Sequence, residues 1–248
     1  MKELYISSEY LQDLLVRMAH HSTAIEGNSL SLGETKSILI DGYIPRPIEL
    51  RELNEVNNYK KYIASILPDL EKKVPLDLTY IKKTHEVLCM DAIEGVPGQF
   101  KTIPNIILGS DIKLTPPYKV QEELKNWCED LKFQLKNSMD EVRIAEIICH
   151  QHMKFERIHP FSDGNGRVGR ALMCYSCFQK KVAPIIIPVE KRKEYINYLN
   201  NYDLKGFTMF ALKLQEQEFE RMNLIQKSLA KEERMEVPRH KNSYDLEL

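Results

Sequence analysis

The stretch Ile158-His159-Pro160-Phe161-Ser162-Asp163-Gly164-Asn165-Gly166-Arg167-Val168-Gly169-Arg170 constrains this chain more than any other. Apolar residues at helical spacing lie on both sides of it, so it reads as a tight loop between a helix ending near Ile158 and another starting near Gly166. Glycines at a helix N-terminus let backbone N–H groups approach an anion closely, and the helix end is partially positive. Arg167 and Arg170, three residues apart, fall on one helical face and supply charge. Asp163 can hold a hard cation, and His159 is a base that titrates near neutral pH. A lone histidine or a lone Asp-Gly turn is ordinarily structural. Their combination at fixed spacing points to phosphate chemistry.

With 35 basic against 36 acidic residues, the chain has no general electrostatic grip for nucleic acid or anionic lipid. No apolar run approaches the roughly 20 residues that span a bilayer, and Met1-Lys2-Glu3-Leu4-Tyr5 has no signal-peptide pattern, so a cytoplasmic protein is expected. Cys89, Cys128, Cys149, Cys174 and Cys177 are scattered over apolar stretches, as suits reduced thiols in a core. His150 and His152, two apart on an expected helix, face different sides and are read as core or supporting groups, not a zinc pair.

The periodicity predicts a mainly α-helical protein, with helices at about 77–89, 118–136, 140–157, 166–180, 190–201 and 207–230. Ser31 and Glu34 form a capping-box pattern for a short helix that stops near Asp41-Gly42. Between Gly95 and Pro117, Ile103, Ile106, Ile107 and Leu108 precede Gly109-Ser110-Asp111 and then Ile112 and Leu114. That pattern fits a short β-hairpin turning at Gly109, and equally an ordinary surface loop.

The central stretch matches the pattern HxFx(D/E)GNGRxxR and so resembles the Fic (Fido) proteins, with His159, Phe161, Asp163, Gly164, Asn165, Gly166, Arg167 and Arg170 all in place. The lead-in from Ala145 through His152 to Glu156 is similar to that family too, and the likeness extends over about 20 to 215. It implies a Fic-like helical bundle with a β-hairpin flap at 95–117, where Lys101 stands at a position commonly held by arginine. One catalytic domain is expected over 1–230, with a charged tail at 231–248 that frays or is disordered.

The resemblance implies transfer of AMP from ATP to a Ser, Thr or Tyr hydroxyl of a protein. By carry-over His159 would deprotonate the hydroxyl and Asp163 would hold Mg²⁺. Gly164, Asn165 and Gly166 would form the anion hole, Arg167 would assist on the phosphates, Arg170 would hold the γ-phosphate, and Phe161 would anchor the loop. Relatives that transfer phosphate depart from the GNGR sequence that this chain retains. Among the tyrosines at 195, 198 and 202, Tyr195 is the candidate to stack on adenine, with helix packing as the alternative. Dimerisation is common in similar proteins, which makes a homodimer a candidate assembly.

Ser22 and Glu26-Gly27 match the family's inhibitory motif (S/T)xxxE(G/N), on an N-terminal helix at about 8–27. A carboxylate in a last helical turn faces the negative end of the dipole, so Glu26 needs either a cationic partner or free solvation. The resemblance implies that it pairs with Arg170 and blocks productive ATP binding. Three other readings stay open: a de-AMPylase using Glu26, a transferase of another phosphate-containing group, and an ATP-sensing interaction module. Retention of both His159 and Asp163 weighs against the last, because binding alone needs no base.

Overall fold

The computed structural model describes residues 6–106 and 112–236, and those residues are mainly helical with no strand among them. The helices are α1 (Ser8–Ile25), α2 (Leu32–Lys36), α3 (Leu50–Glu71), α4 (Leu78–Cys89), α5 (Val120–Lys136), α6 (Glu141–Ile158), α7 (Asn165–Gln179), α8 (Arg192–Asn201) and α9 (Leu204–Glu236). The expected helices are all present, and the last runs beyond 230 to Glu236.

Short polar side chains start these helices where the sequence places them. Ser7 Oγ accepts from Tyr10 N (3.1 Å), Asp77 from Tyr80 N (2.9 Å) and Asp140 from Arg143 N (2.8 Å). The Ser31/Glu34 capping box forms in both directions, at 3.2 and 2.8 Å. A π-helical turn, Ser37–Asp41, follows α2 and ends at Gly42 with φ +77°.

At the centre lies α7, whose Val168, Ala171, Leu172, Met173, Cys174, Tyr175, Cys177 and Phe178 are all buried. A helix apolar on every side must be enclosed by others. It packs against α1, α3, α4 and α6, while α6 also packs on α5 and α9. The five cysteines are free and buried. No helix among the described residues is long and apolar enough to cross a membrane.

Between Gly95 and Pro117 the described residues take no strand conformation, and the Gly109 turn lies outside the described residues. Pairing that would make a hairpin is therefore not shown. The segment is tied by its backbone to the end of α6 and the loop after it: Lys101 N donates to Pro160 O at 2.9 Å, and Thr115 N to Arg157 O at 3.1 Å.

A polar clamp joins α1 to α9. Arg17 donates through Nη1 to Glu218 Oε2 (2.8 Å) and through Nη2 to Glu218 Oε1 (2.6 Å), and Tyr10 OH donates to Glu218 Oε1 (2.5 Å). Asp13 accepts from Arg17 Nε at 2.8 Å and from Arg221. The side chains of Arg17 and Glu218 are only 13% and 6% exposed, so removing Glu218 leaves the buried Arg17 with Asp13 alone and takes the acceptor from Tyr10 OH. Glu218→Ala is expected to cost about 3 kcal/mol in urea denaturation. Arg221→Ala, at a side chain 48% exposed, should cost under about 1 kcal/mol. Equal small losses for the two would refute the buried clamp.

Candidate active site

The loop opens with a strained residue. His159 closes α6 in the left-handed region (φ +47°), which a non-glycine residue enters only when its surroundings hold it there. Its backbone N–H donates to Phe155 O at 2.9 Å, and ring Nδ1 lies 3.2 Å from Glu156 O. A carbonyl only accepts, so Nδ1 carries the proton and Nε2 keeps its lone pair. Burial pushes the imidazole pKa down to about 4, with Lys101 adding to the effect. At neutral pH His159 is an uncharged base.

Asn165, first residue of α7, staples the loop from below. Its Oδ1 accepts from Phe161 N and its Nδ2 donates to Phe161 O, each at 2.9 Å. The fully buried Phe161 ring stacks on His85 with centroids 3.7 Å apart and planes 8° from parallel. From the 95–106 segment, Asn105 Nδ2 donates to Phe161 O (2.9 Å), while Lys101 Nζ donates to Asn105 Oδ1 (2.9 Å) and Ile158 O (3.3 Å). Lys101 is buried at the position the resemblance assigned to the flap, and desolvation lowers its pKa to about 8.

Gly164 (φ +76°) turns the chain into α7, and a Cβ there would run into Cys89 Sγ. The first N–H groups of α7, at Asn165, Gly166 and Arg167, have no intrahelical acceptor and bring the positive helix end to the surface. Asp163 accepts from Gly164 N at 2.5 Å through Oδ1, and its side chain is 60% exposed. Arg167 is buried, with Nη1 3.5 Å from Glu55 Oε1 and Nη2 3.8 Å from Asp163 Oδ2. Its Nε and Nη1 have no hydrogen-bond acceptor, so a buried guanidinium retains donors to spare.

Arg170 turns toward α1. Nε donates to Ser22 Oγ (2.8 Å), and Nη2 donates to Ser22 O (2.8 Å) and Glu26 Oε1 (2.6 Å). Tyr59 OH donates to Ser22 Oγ at 2.6 Å from behind. Burial opposes the charge on Glu26, but Arg170, with Arg167 and Arg192, outweighs it and holds the carboxyl below its ordinary value. Arg192 Nε also caps Ile25 O at 2.7 Å, supplying positive charge at the negative end of α1. A Cβ at Gly166 would collide with the Glu26 carboxylate, which therefore rests on the first turn of α7. Glu26 thus sits at the C-terminus of one helix and over the N-terminus of another.

One placement departs from the ligand-binding expectation. Tyr195 is 1% exposed, its OH 2.7 Å from His152 Nε2 and its ring packed near His152 and Phe207. It has no face free for adenine and belongs to helix packing, the alternative reading. Glu26 is paired with Arg170, the partner the resemblance implies, and is not left to solvation. His85, Glu55, Tyr59 and Arg192 were not foreseen, because each comes from an element with no local chemical signature.

The described residues are thus a helical bundle with arginines and open backbone N–H groups gathered at the N-terminus of its central helix. Residues 75–177 match the sequence model of the Fic/DOC family, and the chain carries a Fic/DOC family domain there. It is 31% identical over 209 residues to protein adenylyltransferase fic-1 of Caenorhabditis elegans, covering 82% of this chain and 40% of that protein. It is 29% identical over 198 residues to protein adenylyltransferase Fic of Drosophila grimshawi, covering 77% and 39%. The chain spans about two-fifths of the length of these curated relatives. A solved segment of C. elegans Fic-1 superposes with a TM-score of 0.75 at 27% identity, over 90% of this chain and 68% of that one. A Fic-domain protein from Bacteroides thetaiotaomicron has the same fold, with a TM-score of 0.75 at 21% identity and 87% of each chain covered.

Beside Arg170, burial raises the Glu156 carboxyl to about 8 against the pull of the guanidinium. Glu156 is therefore largely protonated at neutral pH, where it is isosteric with glutamine. The folded state holds this proton more tightly than the unfolded chain, whose value is 4.5. Stability from this group is fully present below about 4.5 and is lost as pH rises through about 8. Glu156→Gln should therefore gain on the wild type by a few kcal/mol between about pH 5 and pH 9, read by urea denaturation. A difference that does not change with pH would show the carboxyl to be ionised throughout.

Proposed function

We propose that this protein transfers AMP from ATP to a Ser, Thr or Tyr hydroxyl of a protein. The observation that carries the reading is a neutral His159 with its Nε2 lone pair free, at the lip of a helix N-terminus flanked by Arg167 and Arg170. The relatives named protein adenylyltransferase support it. Nε2 takes the proton of the target hydroxyl as its oxygen bonds to the α-phosphorus, the bond from that phosphorus to the β-phosphate oxygen breaks, and pyrophosphate leaves. The open N–H groups of Asn165 and Gly166 receive the phosphate oxygens, and Gly164, whose own N–H is held by Asp163 Oδ1, lets the backbone approach them. Arg167, with donors unfilled, adds hydrogen bonds there, and Arg170 receives the γ-phosphate.

The donor set suits Mg²⁺, which is usually held by one or two carboxylates together with substrate phosphates. Asp163 is an exposed single carboxylate fixed on one oxygen, and no cluster of three or more His, Cys, Asp or Glu occurs among the described residues to favour a protein-only metal cage. When bound, Mg²⁺ neutralises phosphate charge. The 95–106 segment lies over the loop through Lys101 and Asn105, which supports a role for the flap in presenting the target.

In this reading α1 is a brake, because Glu26 occupies the place and the partner of an incoming γ-phosphate. Its side chain is 40% exposed, so screening places the contact near the low end for a charge-assisted bond, about 1.5 kcal/mol. Glu26→Gly should raise AMP transfer by roughly tenfold or more. Intact-mass spectrometry after incubation with ATP and Mg²⁺ tests this, with self-modification as the proxy for an unidentified target. The expected result is an AMP-sized adduct on Glu26→Gly, faint on wild type and absent from Glu26→Gly/His159→Ala. A phosphate-sized adduct would replace adenylyl transfer with kinase-like chemistry. Equal adducts on wild type and Glu26→Gly would remove the brake.

A further inference from the structure

One buried side chain touches the catalytic loop from outside the motif and has no part in the mechanism above. His85 lies in the second half of α4 and is 1% exposed. Its Nδ1 accepts from Gly98 N at 2.8 Å, which obliges Nε2 to carry the ring proton, and Nε2 lies 3.0 Å from Asp163 O. The tautomer is thus set by one backbone donor and spent on one backbone acceptor.

That acceptor is half of a peptide group whose other half matters. The Asp163 carbonyl and the Gly164 N–H belong to one planar unit. His85 holds the carbonyl end, and the N–H end donates to Asp163's own Oδ1 at 2.5 Å. Rotation of that plane would swing the carboxylate with it. Arg167 Nη2, 3.8 Å from Oδ2, lies beyond hydrogen-bonding distance, and the side chain is otherwise largely in solvent. Gly164, in the left-handed region, offers little resistance to such a rotation by itself.

We propose that His85 is a positioning residue: by fixing the 163–164 peptide plane it aims the Asp163 carboxylate at the divalent cation that accompanies ATP. The inference rests on the reading of Asp163 given above. It separates two jobs of one ring, because stacking on Phe161 supports the loop's packing while the Nε2–H bond sets the direction of the carboxylate.

Three variants in the Glu26→Gly background divide these jobs. His85→Gln retains a side-chain N–H donor where Nε2 stands but loses the ring. His85→Met, of similar length, loses ring and donor together. His85→Phe keeps the stack and loses both hydrogen bonds. ATP binding is measured by calorimetry across a Mg²⁺ titration, with far-UV circular dichroism and thermal unfolding alongside.

The expected result is a Mg²⁺ midpoint raised roughly tenfold in His85→Met and His85→Phe and close to the parent in His85→Gln, equivalent to about 1.4 kcal/mol of lost metal-dependent binding. Affinity for ATP without metal should be the same in all four proteins. Should His85→Phe fail to fold, the Gln and Met pair, alike in lacking the ring, decides the matter. Equal midpoints in Gln and Met, or midpoints that follow only the melting temperature, would reduce His85 to packing and overturn the proposal while leaving the transferase reading intact. A Glu26→Gly parent that binds no ATP at any Mg²⁺ concentration would overturn the site reading and this inference with it.

Discussion

A buried guanidinium governs the arrangement of this molecule. Arg170 is 5% exposed near the start of the central helix, where desolvating its charge costs several kcal/mol unless its donors are filled. Burial works against the charge, and Glu26 foremost restores it, so the group stays ionised with its pKa above the ordinary range. Three of its hydrogen bonds go to α1, two to Ser22 and one to Glu26. The docking of α1 is therefore part of solvating Arg170, and the clamp to α9 at the other end of α1 holds that helix against its neighbours.

The same contact settles the electrostatics of Glu26. A carboxylate is disfavoured at the end of its own helix and favoured at the start of another, each by a few tenths to about one kcal/mol. Resting on the first turn of α7, Glu26 exchanges one helix dipole for the other and gains Arg170 directly. Arg192 meanwhile caps the carbonyl of Ile25 that α1 would otherwise leave open. The place Glu26 takes is one an anionic ligand would favour for the same reasons.

What was readable in advance divides along contact range. The thirteen residues of the loop announce their chemistry because their interactions are local: Asn165 bonds back to Phe161, Asp163 to Gly164, and His159 caps the helix that precedes it. Helix starts were legible for the same reason, since Ser31 and Glu34 satisfy each other within one turn. His85, Tyr59 and Glu55 were not, because a histidine, a tyrosine or a glutamate on an amphipathic helix gives no sign of its distant partner: Asp163 and Phe161 for His85, Ser22 for Tyr59 and Arg167 for Glu55. Tyr195 misled in the opposite sense. Its aromatic ring and hydroxyl suit a ligand as well as a core, and only the fold decides that His152 takes the hydroxyl.

The glycines of the loop and α7 carry the argument furthest, because three different helices have claims on them. At 164 the absent Cβ makes room for Cys89 and His85 of α4, at 166 for Glu26 of α1, and at 169 for Glu156 and His152 of α6. A phosphate cradle would account for close approach at 164 and 166 only, because 169 lies a full turn inside the helix and faces protein. There the missing side chain lets the Glu156 carboxyl lie against α7 next to Arg170. Spacing in this motif thus reports the packing of α1, α4 and α6 around one helix as much as it reports a ligand. At Gly166 the two requirements coincide, because the room that admits the Glu26 carboxylate is the room an anion from outside would need.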